Sequence, residues 1–459
     1  MTETHAAVHE VALGDVALDR PEHAIVPLAR LSVAGRPAIH RFFDTSPVSP
    51  SGRFVALFEF PHERRVPHPG EAGHVVVLEI ASGQEVWRTA TIAWDTQLGA
   101  QVQWGSTDDE LLFNRMDSRD WIPYGVSANF RNGDEQRFER AIYMASAVLR
   151  RAVAPDLVRI VHVQPGYGVI VPPDRLAQNR GFADDDGVWS IDLDTGAATL
   201  VRSLASIARD LPEHFERFRT REGALYTFHT KWNWQGTRLM VVLRWIEAGE
   251  GRGPAASCLV TMRPDGSDLH MAVGFSAWKG GHHPNWCPDG ETIIMNLRDM
   301  TRTRRFARAK MFLQKATNRI ELLKRVGMRY YSDVDRLHFI RFRYDGSGLD
   351  ILAPQRTGTG HPSLSPDQSY IVTDAYLREK GAYGDGTVPI RKIDIASGKE
   401  TELVRIQAKP FHLGPRNALR VDPHPAWTND GQAIVFNAIN DGVRQVFLAD
   451  LSQYTRKEK

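Results

Sequence analysis

The chain has 459 residues, 42% apolar and 24% charged, an ordinary globular balance. A formal net charge of +2 argues against a surface built for nucleic acid, and no run of about 18 apolar residues is present to span a membrane. Cys258 and Cys287 are the only cysteines, too few for a disulfide framework, which fits a reducing compartment. Residues 1–21 show no positive region followed by an apolar stretch, so no secretory signal and a cytoplasmic location are expected.

Two phrases alternate along the chain. The first is a polar residue, often followed by proline, then a tryptophan or aliphatic residue, a Pro-Asp-Gly-like turn and an apolar strand. Weak copies stand at residues 46–52, 101–107 and 229–236. Strong copies follow: His283-Pro284-Asn285-Trp286-Cys287-Pro288-Asp289-Gly290, His361-Pro362-Ser363-Leu364-Ser365-Pro366-Asp367 and His424-Pro425-Ala426-Trp427-Thr428-Asn429-Asp430-Gly431. The second phrase is a strand running into a tight turn, as in Ile191-Asp192-Leu193-Asp194-Thr195-Gly196, Met262-Arg263-Pro264-Asp265-Gly266 and Ile393-Asp394-Ile395-Ala396-Ser397-Gly398. Asp-Gly and Ser-Gly supply the positive φ that tight hairpins need, and the flanking runs read as short strands. A four-stranded meander cannot bury both faces alone, so the copies must stack around an axis.

The expected fold is therefore all-β, one β-propeller domain over residues 1–459. Seven blades are expected near 40–90, 98–152, 157–203, 227–275, 281–353, 360–405 and 422–452. The third is poorly marked, which leaves six or eight as alternatives. Within the N-terminal segment 1–35, residues 24–33 should add a strand to the last blade and close the ring, removing an exposed edge. Two stretches break the pattern and read as helical loop insertions, 206–221 and 301–336. In the second, Leu313, Ile320, Leu323 and Val326 fall near helical spacing.

Aligned on the turn, the residue five positions before the turn proline or its equivalent is His229, His283, His361 and His424, with Gln101 in the second blade. Equivalent blade positions lie at one height around the axis, so these side chains should converge at one mouth of the channel. Seventeen histidines in the whole chain do not make four hits at one register a matter of chance. His282 and Asp422 sit beside the ring. A histidine before a proline can also cap a turn, which is the ordinary alternative for any one of them. Clustered imidazoles with a carboxylate suit a divalent transition metal, with Mn, Fe, Ni and Zn open by ligand type. Asp422 and His424 are alternate residues and face the same way on an extended strand.

At these residues the sequence resembles the oligogalacturonate lyases of polysaccharide lyase family 22. The most specific stretch is Asp422-Pro423-His424-Pro425-Ala426-Trp427 through Asp430, then Val435-Phe436 and Asp441-Gly442. Weaker stretches are Gly360-His361, His283 through Gly290, His229, and Ile39-His40-Arg41. The resemblance implies a seven-bladed, cytoplasmic, manganese-dependent propeller that cleaves short uronate-containing oligosaccharides by β-elimination. It implies metal ligation by His361 and His424, with Asp422 where a further histidine would stand. Leu419 stands where a ligating glutamine would be, unless Asn417 substitutes. His283 matches a histidine implicated in proton abstraction, with His282 and His229 behind it. An arginine that would hold the substrate carboxylate is replaced by Cys258, with Arg252 upstream as its substitute. Gln101, His40 and Arg41 complete the expected substrate contacts. The implied partner is a small anionic oligosaccharide, without nucleic acid or membrane, and the oligomeric state stays open.

Removing the C5 proton of a uronate produces a doubly charged enolate, which a metal on the carboxylate stabilises, and a neutral histidine suits the base. Residues 302–329 carry ten Lys or Arg against one acidic residue, Glu321, either a solvated helix face or an electrostatic lid. The alternative function is a non-catalytic propeller of the TolB or WD40 kind acting as a binding platform. It predicts no metal and an aromatic channel mouth. The propeller half of a serine peptidase is disfavoured by the lack of a Gly-x-Ser-x-Gly elbow.

Overall fold

The computed structural model describes residues 24–249, 256–278, 280–298, 337–379 and 381–455. The expected insertion at 301–336 and Arg252 lie outside these residues. Seven antiparallel four-stranded sheets form a seven-bladed propeller. The first, innermost strands are Ala38–Ile39, Gln103–Trp104, Met144–Ser146, Gly223–Trp232, His282–Trp286, Ser363–Leu364 and Ala426–Trp427. Leu28–Arg30 pairs antiparallel with Val443–Asp450, Leu28 opposite Ala449, so the start of the chain supplies the outer strand of the seventh blade. The ring closes as the pattern implied.

One boundary differs from the sequence pattern. The second blade ends with Glu135–Arg137, not near 152, and Met144–Ser146 and Arg151–Ala154 are the first two strands of the third. Their turn has no Pro-Asp-Gly. Arg150 takes the left-handed conformation instead, φ 54°, and is held there by Glu110 and Asp194 at 2.7 Å each. The insertion expected at 206–221 is present as two short helices, Leu204–Asp210 and Pro212–Phe215, and a 3₁₀ turn, Glu216–Phe218. The Ser203 side chain caps the first by accepting from the Ser206 amide. Phe215 and Phe218 are buried against Phe275 and Trp245, and Cys258 packs in the same cluster.

A meander sorts its connections by face. The turns between first and second strands are tight: 105–110, 287–291, 365–369 and 428–432. The segments between second and third strands, and between blades, emerge at the other end. They include the long stretches 60–72, 155–186, 375–386 and 408–425. One end of the channel is therefore bare turns and the other is walled by loops, where functional groups gather. Among the described residues no helix is long and apolar enough to cross a membrane.

Candidate active site

At the loop end the chain enters each inner strand through a repeated kink. Gln101, His283 and His424 have φ of 59°, 56° and 51°, a conformation uncommon for residues with side chains, and Gly360 before His361 has 58°. Gly360 is required there, because a Cβ would lie 2.1 Å from Asp374 Oδ1. The kinks bring the register histidines together. The rings of His283 and His361 stack with centroids 3.9 Å apart, and His361 meets His424 edge-on at 4.4 Å. His229 stacks on Phe42 at 5.1 Å, and Phe42 lies 4.6 Å from His424. Phe42 and Phe43 thus fill the centre of the channel as a floor beneath the imidazoles.

Hydrogen bonds fix which nitrogen of each ring is free. His283 Nδ1 lies 2.8 Å from the Gly360 carbonyl, which can only accept, so Nδ1 carries the proton and Nε2 is a lone pair. The Tyr376 hydroxyl donates to that Nε2 at 2.9 Å. His361 Nδ1 donates to the Asp374 carboxylate at 2.9 Å, which turns its Nε2 toward the cluster. Burial pushes the Asp374 carboxyl up, but His361 outweighs it and holds it below the usual range. Burial also holds His229, His283 and His424 well below 6.5, and His40 and His282 at about 3, so these imidazoles are neutral.

His361, Asp422 and His424 bring ligand atoms within 4.8 Å of one another, all buried. Neither nitrogen of His424 has a hydrogen-bond partner, nor has Asp422 Oδ1. Buried polar atoms left unpaired cost about 1–3 kcal/mol each, and a cation held by one nitrogen of His424, one nitrogen of His361 and an Asp422 oxygen would satisfy the Asp422 atom and one of the two on His424. Arg420 donates to the other Asp422 oxygen at 2.8 Å. The His40 ring, also unpartnered, lies 6.4 Å from His424.

The walls are polar. His282 faces Glu379 at 3.6 Å and accepts from Asn296 at 3.2 Å. Burial raises Glu379 to about 7. Tyr167 is 5.7 Å from His229 and takes a bond from Arg420 at 3.3 Å. Arg244 donates to Gln164 at 2.7 Å, and burial lowers it only to about 10, so it stays cationic.

Other expected site residues are placed differently. The Arg41 side chain is 1% exposed and commits its Nε and Nη1 to Gln101, Asp44 and Thr45, with Gln101 accepting from Nε at 3.0 Å. Both belong to a buried network beside the phenylalanine floor, where Lys231 pairs with Asp44 at 2.9 Å. Leu419 is buried with its side chain lining a neighbouring cavity.

Tyr376, Glu379, Arg420 and Tyr167 escape the histidine register because they come from loops, and Arg244 because it comes from a second strand. Asp374 had a signal. A second register runs through the second strands, an Asn or Asp after an apolar run: Leu112-Phe113-Asn114, Ile294-Met295-Asn296, Val372-Thr373-Asp374 and Val435-Phe436-Asn437. Asn114 clasps the Ile142 backbone, Asn296 the Gly360 carbonyl, and Asn437 the His40 amide. Asp374 is the member that is a carboxylate, and it grips a histidine ring.

No protein-family model and no curated protein matches this chain. The fold is a seven-bladed propeller with a histidine-lined mouth, and solved structures share its architecture. The oligogalacturonate lyase of Vibrio parahaemolyticus superposes with a TM-score of 0.57 at 11% identity, over 94% of this chain and 95% of that one. An oligogalacturonate lyase in complex with manganese gives 0.55 at 13%, over 93% and 94%. At such identities the likeness establishes the fold.

Proposed function

We propose that the protein is a lyase that cleaves short uronate-containing oligosaccharides by β-elimination at the histidine mouth. The observation that carries this is the convergence of His361, Asp422 and His424, with unpartnered buried donor atoms, beside an imidazole whose Nε2 is a lone pair. These three residues would hold a divalent cation, manganese by preference, and Asp374 would keep His361 in the ligating tautomer. The bound cation supplies charge neutralisation at the sugar carboxylate.

His283 is the base. Its Nδ1–H keeps donating to the Gly360 carbonyl while Nε2 takes the C5 proton, a contact now filled by the Tyr376 hydroxyl. The C5–H electrons form the C4–C5 double bond, the C4–O bond breaks, and its electron pair stays on the leaving sugar's oxygen, which takes a proton from water while the His283 imidazolium returns its own to solvent. Arg244, cationic and bonded to a neutral amide, is suited to hold the substrate carboxylate, the role expected of Arg252. A cytoplasmic location goes with this reading, since the substrates would be imported fragments.

The product's double bond is conjugated to its carboxylate and absorbs in the near ultraviolet. With Mn²⁺ and a panel of digalacturonate, unsaturated digalacturonate and glucuronate- and iduronate-containing disaccharides, absorbance should rise on at least one sugar. His283→Ala should slow that rise by about 10²–10⁴-fold. Flat traces on every sugar would overturn the lyase assignment. Full activity in His283→Ala would move the base to His282 or His229.

A further inference from the structure

Beside the histidine mouth lies a second cavity, of about 530 Å³, between the first and seventh blades. That is within the ~300–1,000 Å³ range of small-molecule sites. Leu419 and Val421 line it, and Asp422 follows immediately in the chain, so one extended segment forms the wall between cavity and cluster.

Two exposed side chains from different loops meet at its edge. Phe411, 75% exposed, comes from the segment joining blades six and seven, and Arg64 from the loop 60–72 of blade one. The Arg64 guanidinium stands 4.6 Å from the Phe411 ring centroid. Neighbouring charges are already matched: Glu63 with Arg444 at 3.0 Å, and Arg65 with Glu71. Arg64 makes no ion pair among the described residues, and Asp441 supplies the one other charge on the lining that lacks a described partner. A stacked guanidinium keeps its donor edge free for a carboxylate, and an exposed phenyl offers its negative face to the C–H groups of a sugar ring. A hexuronate carries both features on one ring.

We propose that this cavity binds a second uronate unit of the same oligosaccharide, its carboxylate on Arg64 and its ring on Phe411. The proposal rests on the lyase reading and extends it, giving the protein a preference for chains longer than the pair of sugars at the scissile bond.

The test is calorimetric titration of digalacturonate and trigalacturonate into the full chain with a chelator present, so that binding is read without metal-assisted turnover. The trisaccharide should bind about tenfold more tightly. Arg64→Ala and Phe411→Ala, both at exposed positions, should each reduce it toward the disaccharide affinity and leave the disaccharide unchanged. Trigalacturonate methyl-esterified only on the unit that reaches the second cavity should behave toward the wild type as trigalacturonate does toward Arg64→Ala. Equal affinity for the two lengths, or variants without effect, would overturn the subsite, and near-ultraviolet product formation in the metal-loaded wild type would show that the lyase reading survives it. A length preference lost in the variants, with no elimination on any sugar, would keep the subsite and overturn the lyase. Failure of both sugars to bind would overturn the subsite, and near-ultraviolet product formation by the metal-loaded protein would decide the lyase reading separately.

Discussion

The two ends of the channel come from the same repeat and treat their polar atoms differently. At the loop end the blade-entry residues are His229, His283, His361, His424 and Gln101. Three positions on, near the turn end, stand Trp232, Trp286, Leu364, Trp427 and Trp104. Trp104 and Trp286 spend their Nε1–H on the backbone of the preceding blade, on Pro47 at 2.8 Å and Lys231 at 3.1 Å. Trp232 and Trp427 leave theirs unpaired, but singly and apart. The Trp104 and Trp286 indoles are staples between blades. At the histidine end unpaired atoms belong to His424 and Asp422, whose ligand atoms lie within 4.8 Å of one another and of His361. A repeated register can serve packing or chemistry, and convergence of unsatisfied atoms tells the two apart. The Phe42–Phe43 floor, with the Lys231–Asp44–Arg41 network beside it, keeps the ends separate.

That contrast can be broken from either side. The largest expected effect on stability is at the tryptophan end. Trp286→Ala should cost about 3–5 kcal/mol in denaturant unfolding while leaving metal content unchanged. Metal loss in that variant would mean that the ends are not independent. At the histidine end, Asp374→Asn should keep the fold but present an amide N–H to His361 Nδ1, pushing its proton to Nε2. Metal affinity should fall by about 10–100-fold, read by competition with a chromophoric chelator, and an unchanged affinity would remove Asp374 from the site.

The smallest effect concerns the layer between the ends. Burial pushes the Asp44 carboxyl up, but Lys231 and Arg41 outweigh it and hold it at about 2, against an ordinary value of 3.8. A carboxyl whose folded value is depressed contributes stability that is complete above its unfolded value. That contribution is lost as pH falls through the folded value. Asp44 should therefore contribute about 2 kcal/mol that fades between pH 4 and 2. Unfolding free energies of wild type and Asp44→Asn measured across that window should converge toward low pH. Parallel curves would contradict the burial of this pair.

Much of this was legible from short-range patterns. Blade-entry histidines, Pro-Asp-Gly turns and the closing strand at 28–30 repeat or sit at the edge of repeats, so spacing alone exposed them. The third blade blurred because Arg150, braced by two carboxylates, does the work of a turn glycine. The phenylalanine floor was invisible because Phe42 and Phe43 occur in one blade only and fill the axis for all seven. Arg244 and Arg420 reach the mouth from a second strand and an inter-blade segment, positions that share no register. Cys258, which the resemblance set at a substrate-binding position, is core beneath the helical insertion, in one cluster with Phe218 and Trp245. Asp374 was recoverable from the Asn/Asp register of the second strands.

The central claim is that unsatisfied atoms at the loop end form a metal site. Titrating Mn²⁺ into metal-free wild type, His424→Ala and Trp427→Phe, with elemental analysis of each after dialysis, tests it most directly. One site per chain should appear in the wild type and in Trp427→Phe and vanish in His424→Ala, with a rise in apparent thermal stability on metal addition wherever the site is present. Equal metal in wild type and His424→Ala, or none in the wild type at millimolar Mn²⁺, would contradict it.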